Sequence, residues 1–116
     1  MSQKSDFYEN VYHVVGQIPH GKVTTYGAIA GHIGVRSGAR MVGYALNNLL
    51  SGKALELSYD VPAHRVVNRL GQLTGRAYFP GDTMRERLKQ EGVIFKEEYT
   101  VDIDQHFWDP ADAEEN

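Results

Sequence analysis

Residues 61–67 read Val-Pro-Ala-His-Arg-Val-Val, and they have the form of a catalytic motif with its reactive residue missing. A histidine such as His64 moves protons for a neighbouring nucleophile. The position before it is Ala63, whose methyl group cannot be deprotonated and offers no lone pair. The chain has no cysteine, which excludes disulfides, thiolate metal sites and any thiol nucleophile elsewhere. No His/Asp/Glu cluster has the spacing of a zinc site, and no cofactor is expected. Chemistry of the covalent kind is therefore closed to this motif, and the question becomes what the surrounding elements hold it for.

The chain is 116 residues long, enough for one small domain with a single core. Hydrophobic residues make up 41% and charged residues 23%, as in a globular protein and not a disordered one. No apolar run approaches the ~18 residues that span a membrane, and the polar start MSQKSDFYEN lacks a signal-peptide core. A cytoplasmic location is expected. The net charge of −3 is unevenly distributed. Residues 97–116 hold Glu97, Glu98, Asp102, Asp104, Asp109, Asp112, Glu114 and Glu115 with no Lys or Arg, so residues 1–96 are basic, with all 12 Lys and Arg. A basic body suits phosphates. The expected division is a domain over residues 1–96 and an acidic C-terminal extension over residues 97–116, fraying beyond Ile103.

Helical periodicity runs through Phe7, Val11, Val14, Val15 and Ile18, predicting a helix over 6–18 opened by an Asp6/Glu9 capping box. Thr25 caps a short helix, Tyr26 to Ile33, with Gly34 at its C-terminal end. A second helix follows, capped by Ser37 and running through Ala39, Met41, Val42, Ala45, Leu46 and Leu49. Two helices joined by a tight glycine-containing turn make a helix-turn-helix pattern. Residues 54–60 fit a short strand or an extended loop equally. Val61 to Val67 is apolar enough to be buried, and Pro62 argues against an interior helix. A third helix starts at Asp82 as N-cap, faces Met84, Leu88 and the stem of Arg87 inward, and ends at Gly92. Val93–Phe95 and Tyr99–Ile103 are read as a small hairpin. The expected fold class is mostly α with a small β element.

In order and approximate spacing, the segments IPHGKVTTYGAIA, ARMVGYAL, VPAHRVVN and RLKQEGV resemble the C-terminal DNA-binding domain of the O6-alkylguanine-DNA alkyltransferases, from about Phe7 to Gly92. That family's hallmark is Pro-Cys-His-Arg-Val, with the cysteine accepting the alkyl group. Here the same place reads Pro62-Ala63-His64-Arg65-Val66. The match is therefore to the alkyltransferase-like subclass, in which Trp or Ala replaces the cysteine. The resemblance implies a winged-helix-like helix-turn-helix DNA-binding domain. It also implies a non-enzymatic sensor that docks in the minor groove, flips O6-alkylguanine out of duplex DNA and presents it to nucleotide excision repair proteins, as a monomer.

By the same resemblance, Arg40 is the finger that fills the hole left by the flipped nucleotide. Its planar cation stacks on bases and donates hydrogen bonds. Tyr26 crowds the target phosphate and borders the base pocket, which Ala63, Val66 and Arg76 line. The carbonyls of Ala63 and Val66 accept from the guanine 2-amino group, and Arg76 faces the O6 edge. His64 and Glu91 match a proton relay that here has nothing to deprotonate, so their expected role is structural; Arg65 is expected to be an ion-pair partner. Lys22, Arg36, Ser37 and Lys53 are candidate phosphate contacts. One departure is Leu49, which stands where alkyltransferases usually carry a hinge Asn; Asn47 and Asn48 do not align there.

Two other readings compete. An alkyltransferase inactivated by a Cys-to-Ala change fits Ala63 but not Arg76 or Leu49. A helix-turn-helix regulator reading undamaged sequence needs several base-reading side chains on the second helix, where Met41, Val42, Gly43 and Ala45 offer few.

Overall fold

A computed structural model describes residues 3–35, 37–52 and 60–115. Its elements in order are α1 (Gln3–Val15), β1 (Thr24–Thr25), α2 (Tyr26–Ile33), α3 (Ala39–Leu50), a 3-10 turn (Ala63–Arg65), β2 (Val66–Val67), a second 3-10 turn (Arg76–Tyr78), α4 (Thr83–Gln90), β3 (Phe95–Glu97), β4 (Thr100–Val101), α5 (Ile103–His106) and a terminal 3-10 segment (Pro110–Glu115). The architecture is mostly α with a small β element, as expected. Residues 54–59, left open between strand and loop, lie outside the described residues.

Two apolar clusters form the core. The first gathers Val11, Tyr12, Val14 and Val15 of α1, Ile29 and Ala30 of α2, and Val42, Ala45 and Leu46 of α3 around Ala63, Val66 and Trp108. The second holds Val23, Val67, Leu73, Met84, Leu88, Val93 and Val101. The parallel pair β1–β2, in register Thr24↔Val66 and Thr25↔Val67, runs between them. Successive strand residues point to opposite faces, so Val66 enters the first cluster and Val67 the second.

The α2–turn–α3 unit is built by local chemistry. Thr25 Oγ1 accepts from the Ala28 amide at 3.0 Å, satisfying a helix N-terminal donor. At the other end Gly34 takes φ 97°, where a side chain is strained. The Gly34 amide donates to the Gly31 carbonyl and the Val35 amide to Ala30, closing the helix in a Schellman turn. Helix α3 begins differently from expectation: its N-cap is Gly38, without a side-chain cap bond, and Ser37 lies one residue outside. The chain turns tightly at this point and requires the glycine. A Cβ at residue 38 would sit 2.9 Å from the Val35 carbonyl oxygen and side chain.

Other expectations shift. Helix α1 starts at Gln3, so Asp6 lies in its first turn instead of capping it. There its charge complements the helix dipole. The helix ends at Val15, and Ile18 is buried from the turn beyond it. Asp82 occupies the N-cap of α4 without capping; it lies 3.8 Å from Arg85 instead. Met84 and Leu88 face inward, but Arg87 is exposed.

The expected hairpin forms, and the described residues beyond Ile103, expected to fray, form the rest of α5 and a 3-10 segment. The boundary expected at residue 96 falls inside β3, which pairs antiparallel with β4. Val101 is fully buried and Trp108 closes the first cluster. Around α5 the Val23 amide donates to the His106 carbonyl at 2.9 Å, and the Trp108 amide to the Val23 carbonyl at 2.8 Å. His106 itself bridges Gly21 and Ile94: Nδ1 lies 3.0 Å from the Gly21 carbonyl, and the Ile94 amide donates to Nε2 at 3.0 Å. Glu97, Glu98, Asp104, Asp109 and Asp112 are exposed, while a few apolar anchors hold the stretch to the body.

Candidate nucleic-acid interface

The motif around Ala63 sits on the 3-10 turn between Pro62 and β2 and is held from behind by ions. His64 is completely buried. Its Nε2 lies 2.7 Å from Glu91 Oε2. Arg65 embraces the same carboxylate, Nη2 donating to Oε2 at 2.8 Å and Nε to Oε1 at 3.0 Å, while Nη1 donates to the Ile18 carbonyl at 2.8 Å. The Gly21 amide donates to Oε1 at 3.1 Å, completing the set around Glu91. Burial pushes the Glu91 carboxyl up, but Arg65, His64 and the Gly21 amide outweigh it and hold its pKa down at about 2. Burial lowers the pKa of His64 against the pull of Glu91. The neutral ring donates from Nε2, and among the described residues Nδ1, a buried acceptor, has no hydrogen-bond partner. This network ties the turn between α1 and β1, the motif and the end of α4 together.

In front of the motif, Tyr26 opens α2 directly after β1 and packs half-buried against the first core cluster. Burial raises its pKa, partly offset by a side-chain hydrogen bond with Thr74. A Cβ at residue 75 would stand 3.1 Å from the Tyr26 hydroxyl, so Gly75 lets the 74–76 loop lie close. Arg40, the second residue of α3, is exposed. Among the described residues no hydrogen bond or ion pair engages its guanidinium. An unpaired cation at the start of a helix, beside the glycine turn, is free to meet an external partner.

The remaining expected residues are not gathered into one open pocket. Ala63 and Val66 are 6% and 1% exposed. The Ala63 carbonyl accepts from the Val66 amide, which leaves one lone pair for another donor. Arg76 is exposed and its guanidinium carbon lies 3.8 Å over the Tyr99 ring. It borders a surface cavity of about 490 Å³ with Gln72, Leu73, Thr74, Ala77, Tyr99 and Thr100. Thr74 links that cavity to Tyr26, so Tyr26 and Arg76 are neighbours, while Ala63 and Val66 lie in the core. Lys22 and Ser37 are exposed; Arg36 and Lys53 lie outside the described residues.

Over residues 6–93 the chain matches the family described as 6-O-methylguanine DNA methyltransferase, DNA binding domain. It is 38% identical over 110 residues to alkyltransferase-like protein 1 of Schizosaccharomyces pombe, with 90% of this chain and 96% of that protein covered. The chain belongs to the alkyltransferase-like family. The DNA base-flipping protein of Escherichia coli is also 38% identical, over 112 residues covering 93% of this chain and 78% of that protein. Among solved structures, S. pombe Atl1 in complex with damaged DNA containing O6-carboxymethylguanine matches with a TM-score of 0.73 at 36% identity, covering 93% of this chain and 98% of that one. The α2–turn–α3 unit of this alkyltransferase-like chain is thus the helix-turn-helix of a DNA-binding domain fold.

Two site features escaped the sequence. Tyr99 was read only as the start of a strand, yet it is the platform under Arg76. Tyr44 lies on α3 and is 49% exposed; its sequence signal is a large aromatic four residues after Arg40, on the side away from the apolar positions.

Proposed function

We propose that this protein is a non-enzymatic sensor that binds O6-alkylguanine in duplex DNA, extrudes the damaged nucleotide and flags it for nucleotide excision repair. The observation that carries the reading is the preserved architecture around Ala63: a buried His64, a charged Glu91 and the Arg65 clamp surround a side chain with no reactive atom. A scaffold that kept transfer chemistry would need a nucleophile, and the chain has no cysteine to supply one. The crystal structure of S. pombe Atl1 in complex with damaged DNA containing O6-carboxymethylguanine supports the same ligand class here.

In this reading α3 docks in the minor groove and the unpaired Arg40 enters the base stack, offsetting part of the few kcal/mol that extrusion costs. Tyr26 guides the backbone past the start of α2. The free lone pair of the Ala63 carbonyl and the Val66 carbonyl accept from the 2-amino group, and Arg76 reads the alkylated O6 edge. Because Ala63 and Val66 are buried, the base reaches them only when the residues covering them move aside. Lys22, Arg36, Ser37 and Lys53 hold phosphates. The protein acts as a monomer in the cytoplasm. The test compares binding to matched duplexes carrying guanine or O6-methylguanine, with mass spectrometry of the protein after incubation. Preference for the lesion with unchanged mass supports the sensor; a mass gain of one methyl group refutes it, and equal affinities point to general DNA binding.

A further inference from the structure

The exposed face of α3 extends well past Arg40. On a helix of 3.6 residues per turn, Arg40, Tyr44 and Asn47 fall within an arc of about 60°. The buried residues Val42, Ala45 and Leu46 occupy the other side. Tyr44 is 49% exposed. Tyr44, Asn47, Asn48 and Ser51 front an open cleft of about 290 Å³ whose far side is Tyr8 and Tyr78. Among the described residues no hydrogen bond engages the Tyr44 hydroxyl or the Asn47 side-chain amide. An exposed aromatic and a half-buried amide at the cleft, neither held by a hydrogen bond among the described residues, are free to serve a ligand.

We infer that Tyr44 and Asn47 are base-reading residues, donating hydrogen bonds to minor-groove acceptors of the pairs flanking the nucleotide that Arg40 displaces. This rests on the reading that α3 enters the minor groove. The chemistry fits that groove, which presents adenine N3 and thymine O2 as acceptors to any donor that reaches them. A tyrosine hydroxyl and an asparagine amide both donate, and neither adds charge. The spacing fits as well. At about 1.5 Å of rise per residue, Tyr44 stands roughly 6 Å and Asn47 roughly 10 Å along the helix from Arg40. With base pairs about 3.4 Å apart, these distances correspond to about two and three steps along the duplex. Lesion binding then carries a preference for flanking sequence that a phosphate-only grip would lack.

The decisive reagent is 3-deazaadenine, which replaces the N3 acceptor by C–H and leaves pairing and the major groove intact. It is placed singly, on either strand, one to four pairs from O6-methylguanine. Wild-type protein is expected to lose affinity about 2- to 12-fold at one or two of these positions, the worth of one net hydrogen bond each. Tyr44→Phe keeps the ring and removes only the hydroxyl, so it should abolish the nearer effect; Asn47→Ala should abolish the farther one. A flat scan in the wild type, or position effects that survive both variants, overturns the inference. The ratio of affinities for O6-methylguanine and guanine, read in the same titrations, separates it from the proposed function. A lost ratio with a position effect intact sinks the sensor alone, and a retained ratio with a flat scan sinks only the base-reading role.

Discussion

Glu91→Gln tests whether the relay residues have become scaffold. The carboxylate accepts from Arg65, His64 and the Gly21 amide and is 9% exposed. Its pKa is lowered from 4.5 to about 2. At about 1.4 kcal/mol per pH unit that gap bounds the ionic contribution at roughly 3 kcal/mol. Solvent screening at the end of α4 reduces it, and about 2 kcal/mol is the expected loss at pH 7. For a domain of this size that lowers Tm by about 8 °C. The sign follows from linkage. A carboxyl whose folded pKa lies below its unfolded value stabilises fully above the unfolded 4.5, and that contribution disappears as the pH falls through about 2. Thermal melts of wild type and Glu91→Gln from pH 7 to pH 3 should therefore show a gap that narrows below pH 4.5. Equal Tm values at pH 7, or a gap that stays constant with pH, would refute the scaffold assignment.

Arg40→Ala should weaken binding to an O6-methylguanine duplex by about 1–3 kcal/mol while leaving the melting curve unchanged, as measured by fluorescence anisotropy and calorimetry; an unchanged Kd removes the finger role. Lesion binding should weaken with salt, with log K falling by about 0.9 per decade for each phosphate neutralised, and Lys22→Ala should reduce the slope by that amount. A titration flat between 50 and 200 mM salt would contradict the phosphate contacts. Trp108→Ala should cost about 3–5 kcal/mol in chemical denaturation, because Trp108 closes the first core cluster from the acidic segment. A midpoint equal to wild type would mean that the segment is dispensable.

Where the chain's signals are local, the sequence was enough. The Thr25 cap, the Gly34 stop and the inward pair Met84 and Leu88 each depend on neighbours within a helical turn, and the structure places them as read. Two helix starts departed from expectation although their neighbours are close in sequence: α3 opens on Gly38, where Val35 leaves no room for a Cβ, and Asp82 lies beside Arg85 instead of capping α4. Where a distant residue decides, the sequence was not enough. The C-terminal segment misled most. Glu97, Glu98, Asp104, Asp109 and Asp112 lie on the solvent side, while Val101, Trp108 and the bridging His106 bind it to partners such as Gly21, 85 residues away. Within the site, the Arg65–Glu91 contact was half-visible as an expected ion pair, whereas the Arg76–Tyr99 stack joins two segments that no periodicity connects.

The proposed sensor must extract and hold a modified base without sulfur. A crystal structure of the protein on a duplex with O6-methylguanine measures this directly. Expected there is the damaged nucleotide rotated out of the helix, its 2-amino group against the Ala63 carbonyl and the Arg40 side chain in the vacated stack. A damaged base still paired and stacked, with Arg40 on the phosphates, would contradict it.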